Sequence, residues 1–445
     1  LEARQLLTTV SFQQGLGGYE GQEDTVLYSR DPDVNAGTEG SISPDQQDSN
    51  GVRQGLVKFA DIIGDDSSQV PLGAKINSAT FTVDVVNDSN SAMQMSLYRM
   101  QQDWSEGSAT WNTFGAIGGV QASEGESSDL PPDAILFDPD TSASSPTAGI
   151  FDVTRSLEYW SAGVNNFGWM IESAATNGWD FRTKESAQNQ RPRLVVDYSV
   201  PASLEYQILN TSVVSAEGNT GTSTAIIEVA RLGDLTAGSS IDFDVTAGTA
   251  TAGVDFVASS GTLNFAPTQG LATIEVTVNG DTELEGFETI DVTLSGGTTV
   301  SGRGAAVISI GDDDALINEV LANVSNDIDE TNREYIELLG TPGASLDDYW
   351  FVVFEGEEEE GSMNGDGTGL GVADFVANLD GLTFGSNGLL VLAPTNWEYA
   401  PLAAAGTNIV NTAALDGVGG VLEDASQTYA LIRSSAAITQ GTDYD

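Results

Sequence analysis

Apolar side chains recur at every second position in short runs, and glycine, serine, asparagine and aspartate break those runs apart. That period admits little besides β-sheet. Ala79, Phe81, Val83 and Val85 alternate with Thr80, Thr82 and Asp84, so an extended strand there has one apolar and one polar face. Met93, Met95 and Leu97 repeat the pattern, as do Ile241/Phe243/Val245, Ile274/Val276/Val278, Ile290/Val292/Leu294 and Ala306/Ile308/Ile310. Helical spacing surfaces clearly once, after Asp152, where Val153, Leu157 and Trp160 share a side and Gly163 supplies the stop. The expected fold class is all-β, built from sandwiches. A chain of 445 residues exceeds one core and divides into about three units. The expected divisions are 1–200, 204–315 and 316–445, with a short linker at 199–203 and essentially none at the second boundary.

The formal charge is −51 although only 18% of residues are charged, so the imbalance comes from missing lysine and arginine. Residues 1–200 carry 11 basic and 28 acidic side chains, the remainder 4 and 38. Such a surface repels nucleic acid and anionic lipid and suits salt- or calcium-rich water. The chain has no cysteine and no histidine, which excludes disulfides, thiolate or imidazole chemistry and any Cys- or His-ligated metal. No apolar run reaches the ~20 residues of a membrane-spanning helix, so no membrane insertion is expected. The first residue is Leu1 rather than Met; removal of a signal peptide would leave this, and so would a cloned fragment.

The strand pattern Ala306–Ile310 ends in Asp312-Asp313-Asp314, and a second acidic cluster, Asp281, Glu283, Glu285 and Glu288, lies about thirty residues upstream. Carboxylates folded together repel by ~1 kcal/mol per pair in water and ~4 kcal/mol in a poorly solvated site. A hard dication with many oxygen ligands removes that penalty, and Ca²⁺ is the expected ion. The plainer alternative is a solvated acidic loop. Two clusters bracketing strands in one small unit favour calcium. The segments Glu217-Gly218-Asn219, 248–256, 280–288 and 311–314 resemble the Calx-β domain. The resemblance implies an immunoglobulin-like sandwich with ligands at Glu217, Asp255, Asp281, Glu285, Glu288, Asp312, Asp313 and Asp314. Gly280 stands where the exchangers' calcium sensors carry an acid, so fewer ions are expected than there. With no transporter attached, the ion is expected as a structural staple rather than a sensor.

Five of the seven tryptophans fall in residues 1–200. Phe12-Gln13-Gln14-Gly15, Gly18-Tyr19-Glu20-Gly21, Asp24-Thr25, Asp103-Trp104-Ser105-Glu106-Gly107, Ala109-Thr110-Trp111-Asn112 and Arg191-Pro192-Arg193-Leu194 follow one another in an order that resembles the DNRLRE-type module, a jelly roll related to carbohydrate-binding modules of secreted bacterial proteins. The resemblance implies a β-sandwich and, in some members, binding to acidic polysaccharide. Trp104, Trp111 and Trp160 are expected in the core. Trp169 and Trp179, in a glycine- and asparagine-rich stretch, are the candidates for stacking on sugar. Arg99, Arg155, Arg182, Lys184, Arg191 and Arg193 are the candidate basic patch.

Beyond residue 315, Leu316–Asn323, Glu334–Leu338 and Leu346–Trp350 resemble the lamin tail domain, another immunoglobulin-like sandwich. Glu357-Glu358-Glu359-Glu360 and Asn364-Gly365-Asp366-Gly367 depart from it as a solvated insertion or a further calcium loop. Asn318, Glu319 and Glu334 invite a metal-assisted phosphoesterase reading, but no histidine base or basic phosphate clamp accompanies them. The functional expectation is a non-enzymatic, calcium-stabilised extracellular or cell-surface protein, structural or adhesive, that self-associates into a filament or surface layer. The alternative is the carbohydrate-binding accessory region of a larger secreted polysaccharide-degrading enzyme. The expected partners are calcium ions, further copies of the chain and polysaccharide.

Overall fold

The computed structural model describes residues 7–48, 51–87, 94–128, 131–137, 147–173, 180–218, 220–281, 285–296, 299–311, 315–322, 333–355, 373–415 and 427–442. Trp179, Glu283, Asp312, Asp313, Asp314 and the segments 357–360 and 364–367 lie outside the described residues. The fold is almost entirely β, and its sheets form three consecutive sandwiches.

In the N-terminal sandwich the first and last strands, Thr8–Phe12 and Arg193–Ser199, pair antiparallel. They continue into a six-stranded sheet through Lys75–Asn87, Asp180–Arg182 and Ser41–Ile42, with Thr147–Asp152 also on Lys75–Asn87. The facing sheet runs Gln22–Tyr28, Gly51–Phe59, Trp169–Ser173, Gln94–Arg99 and Ala134–Phe137, with Asp45–Asp48 added on Gly51–Phe59. The alternation at 79–85 is realised as read: Ala79, Phe81, Val83 and Val85 are all buried, because a pleated strand sends every second side chain to one face. The space between the sheets is filled by rings. Phe81 stacks on Trp169 at 5.4 Å between centroids, and Trp160 lies 4.9 Å from Trp169.

The single α-helix among the described residues, Thr154–Ser161, starts where expected. Asp152 Oδ1 accepts the Thr154 amide and hydroxyl at 3.0 and 2.6 Å, satisfying a first-turn donor that the helix itself cannot. Val153, Leu157 and Trp160 point into the core at 0–1% exposure.

The middle sandwich pairs Leu271–Asn279, Thr222–Leu232, Glu205–Ile208 and Thr299–Val300 in one sheet. The other holds Ser212–Ala216, Ala305–Gly311, Glu288–Ser295, Ser239–Ala247 and Ser259–Phe265. Register brings Ile227 opposite Ile274 in one sheet and Ile290 opposite Ile308 in the other, so the apolar sets of neighbouring strands line the inner face of each sheet. The chain changes sheets between Ile208 and Ser212; the second piece runs parallel to Ala305–Gly311. In the C-terminal sandwich, Ala315–Leu321, Tyr335–Gly340, Leu389–Ala393 and Asn408–Asn411 face Ala373–Asn378, Tyr349–Glu355 and Gln427–Arg433. Phe351, Phe375 and Leu338 are buried between them.

The first two sandwiches are joined by more than the linker. Gly73 donates to Ser161 O and accepts from the Gly233 amide, both at 2.8 Å. Tyr159 and Ala162 bury apolar surface against Leu209, Ala230 and Leu232. Lys75 pairs with Glu205 at 3.0 Å, Tyr159 donates its hydroxyl to Glu228, and Arg303 pairs with Glu158.

Candidate metal centre

One end of the middle sandwich gathers the acids. Residues 251–256 form a tight turn in which the Asp255 amide donates to Thr251 O at 3.0 Å and the Gly253 amide to Phe256 O at 2.8 Å. Phe256, fully buried, anchors the turn in the core. The Asn279 amide donates to Asp255 O at 2.8 Å, which pins the turn to the end of Leu271–Asn279. Asp255 is therefore held inside, at 2% exposure. Its Oδ2 accepts the Thr251 amide, while its Oδ1 is buried with no hydrogen-bond partner.

Glu288 opens the strand Glu288–Ser295, and Glu285 precedes it on the exposed loop. Asp255, Glu285 and Glu288 bring ligand oxygens within 4.8 Å of one another. Burial raises Glu288 to about 7, helped by its contact with the Asp255 carboxyl and by the charges of Asp255 and Glu285. Crowded carboxylates with an orphaned buried oxygen, and no nitrogen or sulfur donor among them, are the donor set a hard dication needs; oxygen-rich, irregular coordination is what Ca²⁺ accepts. The residues fit a calcium ion.

Three of the eight expected ligands are thus brought together, and two others among the described residues lie at the ends of strands. Glu217, 5% exposed, follows Ser212–Ala216, and its amide donates to Gly311 O at 3.0 Å. Gly311, the last described residue before Asp312, therefore lies beside it. Asp281 is half-buried just after Leu271–Asn279. Gly280, in the place of an expected acid, has a physical reason: a Cβ there would lie 2.1 Å from Gly218 O and 3.1 Å from Glu217 O. The backbones of 217–218 and 280 approach too closely for any side chain.

The sugar-stacking expectation for Trp169 is corrected. Trp169 has 0% exposure, donates its indole N–H to Ser156 Oγ at 2.8 Å and is packed by Phe59, Phe81 and Trp160. Its turn-rich flank ends at Gly168, and Trp169 already belongs to an inner strand of the sheet, so neither ring face is open to a ligand. Of the expected core tryptophans, Trp104 and Trp160 are buried and Trp111 is half-buried.

Three of the six candidate basic residues are held by partners, while Arg193 is exposed. Arg99 pairs with Asp133 and lies 3.6 Å over the Tyr159 ring. Arg191 donates to Gln14 O and Ser186 O at 2.9 Å. Lys184 bridges Glu106 and Glu185. That bridge marks a convergence that inspection of motifs missed: Asp24, Glu106 and Glu185 also bring carboxylate oxygens within 4.8 Å of one another. Burial and the charge of Glu185 push Asp24 up to about 8. Asp24 and Glu106 both sit in segments that mark the jelly-roll resemblance, but nothing in their spacing announces that they meet.

Comparison with known families agrees with the middle sandwich. A family model described as Calx-beta domain matches residues 208–314. A second, carbohydrate-binding module family 96, matches residues 18–127, within the region that resembles the DNRLRE-type module. The apo form of the Calx CBD1 domain is 26% identical, with 25% of this chain and 98% of that one covered and a TM-score of 0.23. CBD12 from CALX1.2 is 18% identical over 35% of this chain and 64% of its own, TM-score 0.25. A GH2 beta-galacturonidase from Eisenbergiella tayi is 7% identical over 70% of this chain and 46% of its own, TM-score 0.18. A comparison with curated proteins finds no match. The two matching family models describe binding modules rather than catalytic domains. No helix among the described residues is long and apolar enough to cross a membrane.

Proposed function

We propose that this chain is a non-catalytic extracellular protein of three tandem sandwich domains (1–200, 204–315 and 316–445), whose middle domain is stapled by Ca²⁺ and which serves as a structural or adhesive building block. The observation that carries the reading is Asp255: a carboxylate at 2% exposure, one oxygen without a partner, facing Glu285 and Glu288. Without a cation that arrangement is repulsive; with one it ties the 251–256 turn, the loop before Glu288 and the end of Leu271–Asn279 into a single rigid end. Glu217 and Asp281, and then Asp312, Asp313 and Asp314, complete the ligand set in this reading. The test is differential scanning calorimetry of the full chain in CaCl₂ and in EDTA. Chelation should lower the transition of the middle domain, and Asp255→Asn should reproduce most of that loss in calcium. A profile unchanged by EDTA would dispose of the staple.

The carbohydrate-binding module match over residues 18–127 favours one further reading, in which the N-terminal domain is the glycan-binding arm of a longer secreted polysaccharide-degrading enzyme. With Trp169 buried, binding would fall to another surface of that domain, or to Trp179. A glycan array probed with the full chain in calcium-containing buffer separates the readings: specific acidic-polysaccharide binding favours the arm, and no binding favours the building block.

A further inference from the structure

The Asp24 cluster in the N-terminal sandwich has no role in the middle-domain site. Asp24 lies on Gln22–Tyr28, Glu106 in the loop after Trp104, and Glu185 in the turn after Asp180–Arg182. The scaffold holding them is stiff. The Asp24 amide donates to Glu106 Oε1 at 3.1 Å, the Glu106 amide to Glu23 Oε2 at 2.8 Å, and Asn35 Nδ2 to Glu106 O at 2.7 Å.

Lys184 is the only cation whose ammonium is recorded in contact with the trio among the described residues, 2.8 Å from Glu106 Oε2 and 3.1 Å from Glu185 Oε1. Asp24 Oδ2 accepts from Gln22 Nε2 and from the Lys184 amide, both at 3.0 Å. Asp24 Oδ1 is buried and has no partner, in a side chain at 1% exposure. With all three carboxyls ionised, as a bound cation would hold them, the trio and the Lys184 ammonium carry a net charge of −2, which one divalent ion cancels.

Distance points the same way. The converging oxygens lie within 4.8 Å of one another, and two ligands on opposite sides of a calcium ion, at about 2.4 Å each, are separated by about that distance. Glu185 is exposed and Glu106 half-buried, so an ion can enter from solvent toward the buried Asp24.

We propose that Asp24, Glu106 and Glu185 bind a calcium ion in the N-terminal sandwich, with Lys184 remaining beside it as the charge that limits its affinity. The ion would tie together three segments that are distant in sequence, locking the Glu106 loop and the Glu185 turn onto the end of Gln22–Tyr28.

The test uses the full chain carrying Glu285→Gln and Glu288→Gln, so that the middle-domain site is weakened and its failure is read separately. Calcium chloride titrations by isothermal calorimetry should show a binding event that Asp24→Asn and Glu185→Gln each weaken by at least about tenfold, as removal of one charged ligand requires. Lys184→Met should tighten the same event by about tenfold, because it removes a like charge adjacent to the ion. Magnesium chloride should bind more weakly than calcium. The Glu185 side chain is exposed, so Glu185→Gln decides the matter if Asp24→Asn fails to fold. Calcium binding that is identical in the background chain and its Glu185→Gln variant, or no binding in the folded background chain, would overturn the proposal.

Discussion

Arg303, on the middle sandwich, pairs with Glu158 on the helix of the N-terminal one. Glu158 is 7% exposed; Arg303 keeps 38% of its side chain in solvent. The carboxylate bears most of the desolvation and the guanidinium supplies the compensation. Arg303→Met should leave that carboxylate without its countercharge and destabilise the two-sandwich unit by about 1–2 kcal/mol, below the full cost of breaking a buried pair because Arg303 is partly solvated. Urea unfolding checks this, and adding Glu158→Gln to Arg303→Met should recover most of the loss.

Glu158 also sets a pH dependence. Desolvation raises its pKa above the usual 4.5, against the opposing pull of Arg303. A carboxyl whose folded pKa is raised binds more protons when folded than when unfolded. Its contribution to stability is therefore greatest below 4.5 and is lost as pH rises from there through the raised value. Glu158→Gln should flatten that part of the stability profile; thermal melts of both proteins between pH 4 and pH 8, at fixed calcium, show whether it does.

Restoring the acid at position 280 should harm the calcium end, not improve it. The Cβ of Gly280→Asp would lie 2.1 Å from Gly218 O, so the 217–218 backbone must move, at a cost of about 1–3 kcal/mol. Calorimetric melting in saturating calcium should show a lower transition for the middle domain than the parent chain.

Trp169→Ala should cost about 3–5 kcal/mol, the range for removing a large core side chain, since the indole fills the space between Phe59, Phe81 and Trp160. Denaturant unfolding measures the loss. Glycan binding measured under conditions where the variant is still folded should be unchanged.

If the chain is a building block, assembly should depend on divalent ions. A charge of −51 opposes association until cations bridge or screen facing acidic surfaces. Head-to-tail contact between unlike ends then propagates into a filament when the rotation does not close. Electron microscopy and light scattering should show assembly at millimolar calcium and its reversal on chelation; monomers throughout would leave the binding-arm reading ahead.

Local patterning along the chain was enough for the class of fold, several of the strands and the chemistry available. Alternation at 79–85, 241–245, 274–278, 290–294 and 306–310 is a local property of the chain, and burial follows from it at Phe81, Val276, Ile290 and Ile308. The helix after Asp152 was legible for the same reason, through the spacing of Val153, Leu157 and Trp160 and its stop at Gly163. The absence of cysteine and histidine left carboxylates as the candidate metal ligands. Which acids meet follows from how the strands and loops pack. Asp255 and Glu288 belong to different segments, and Asp24, Glu106 and Glu185 are spread across most of the N-terminal sandwich, so their encounter depends on sheet order and loop path. The same holds for Trp169, whose turn-rich neighbourhood suggested the surface while its own position in an inner strand put it in the core. Periodicity is written in neighbours along the chain. A binding site is written in neighbours across it, and those are set by the packing of the two sheets.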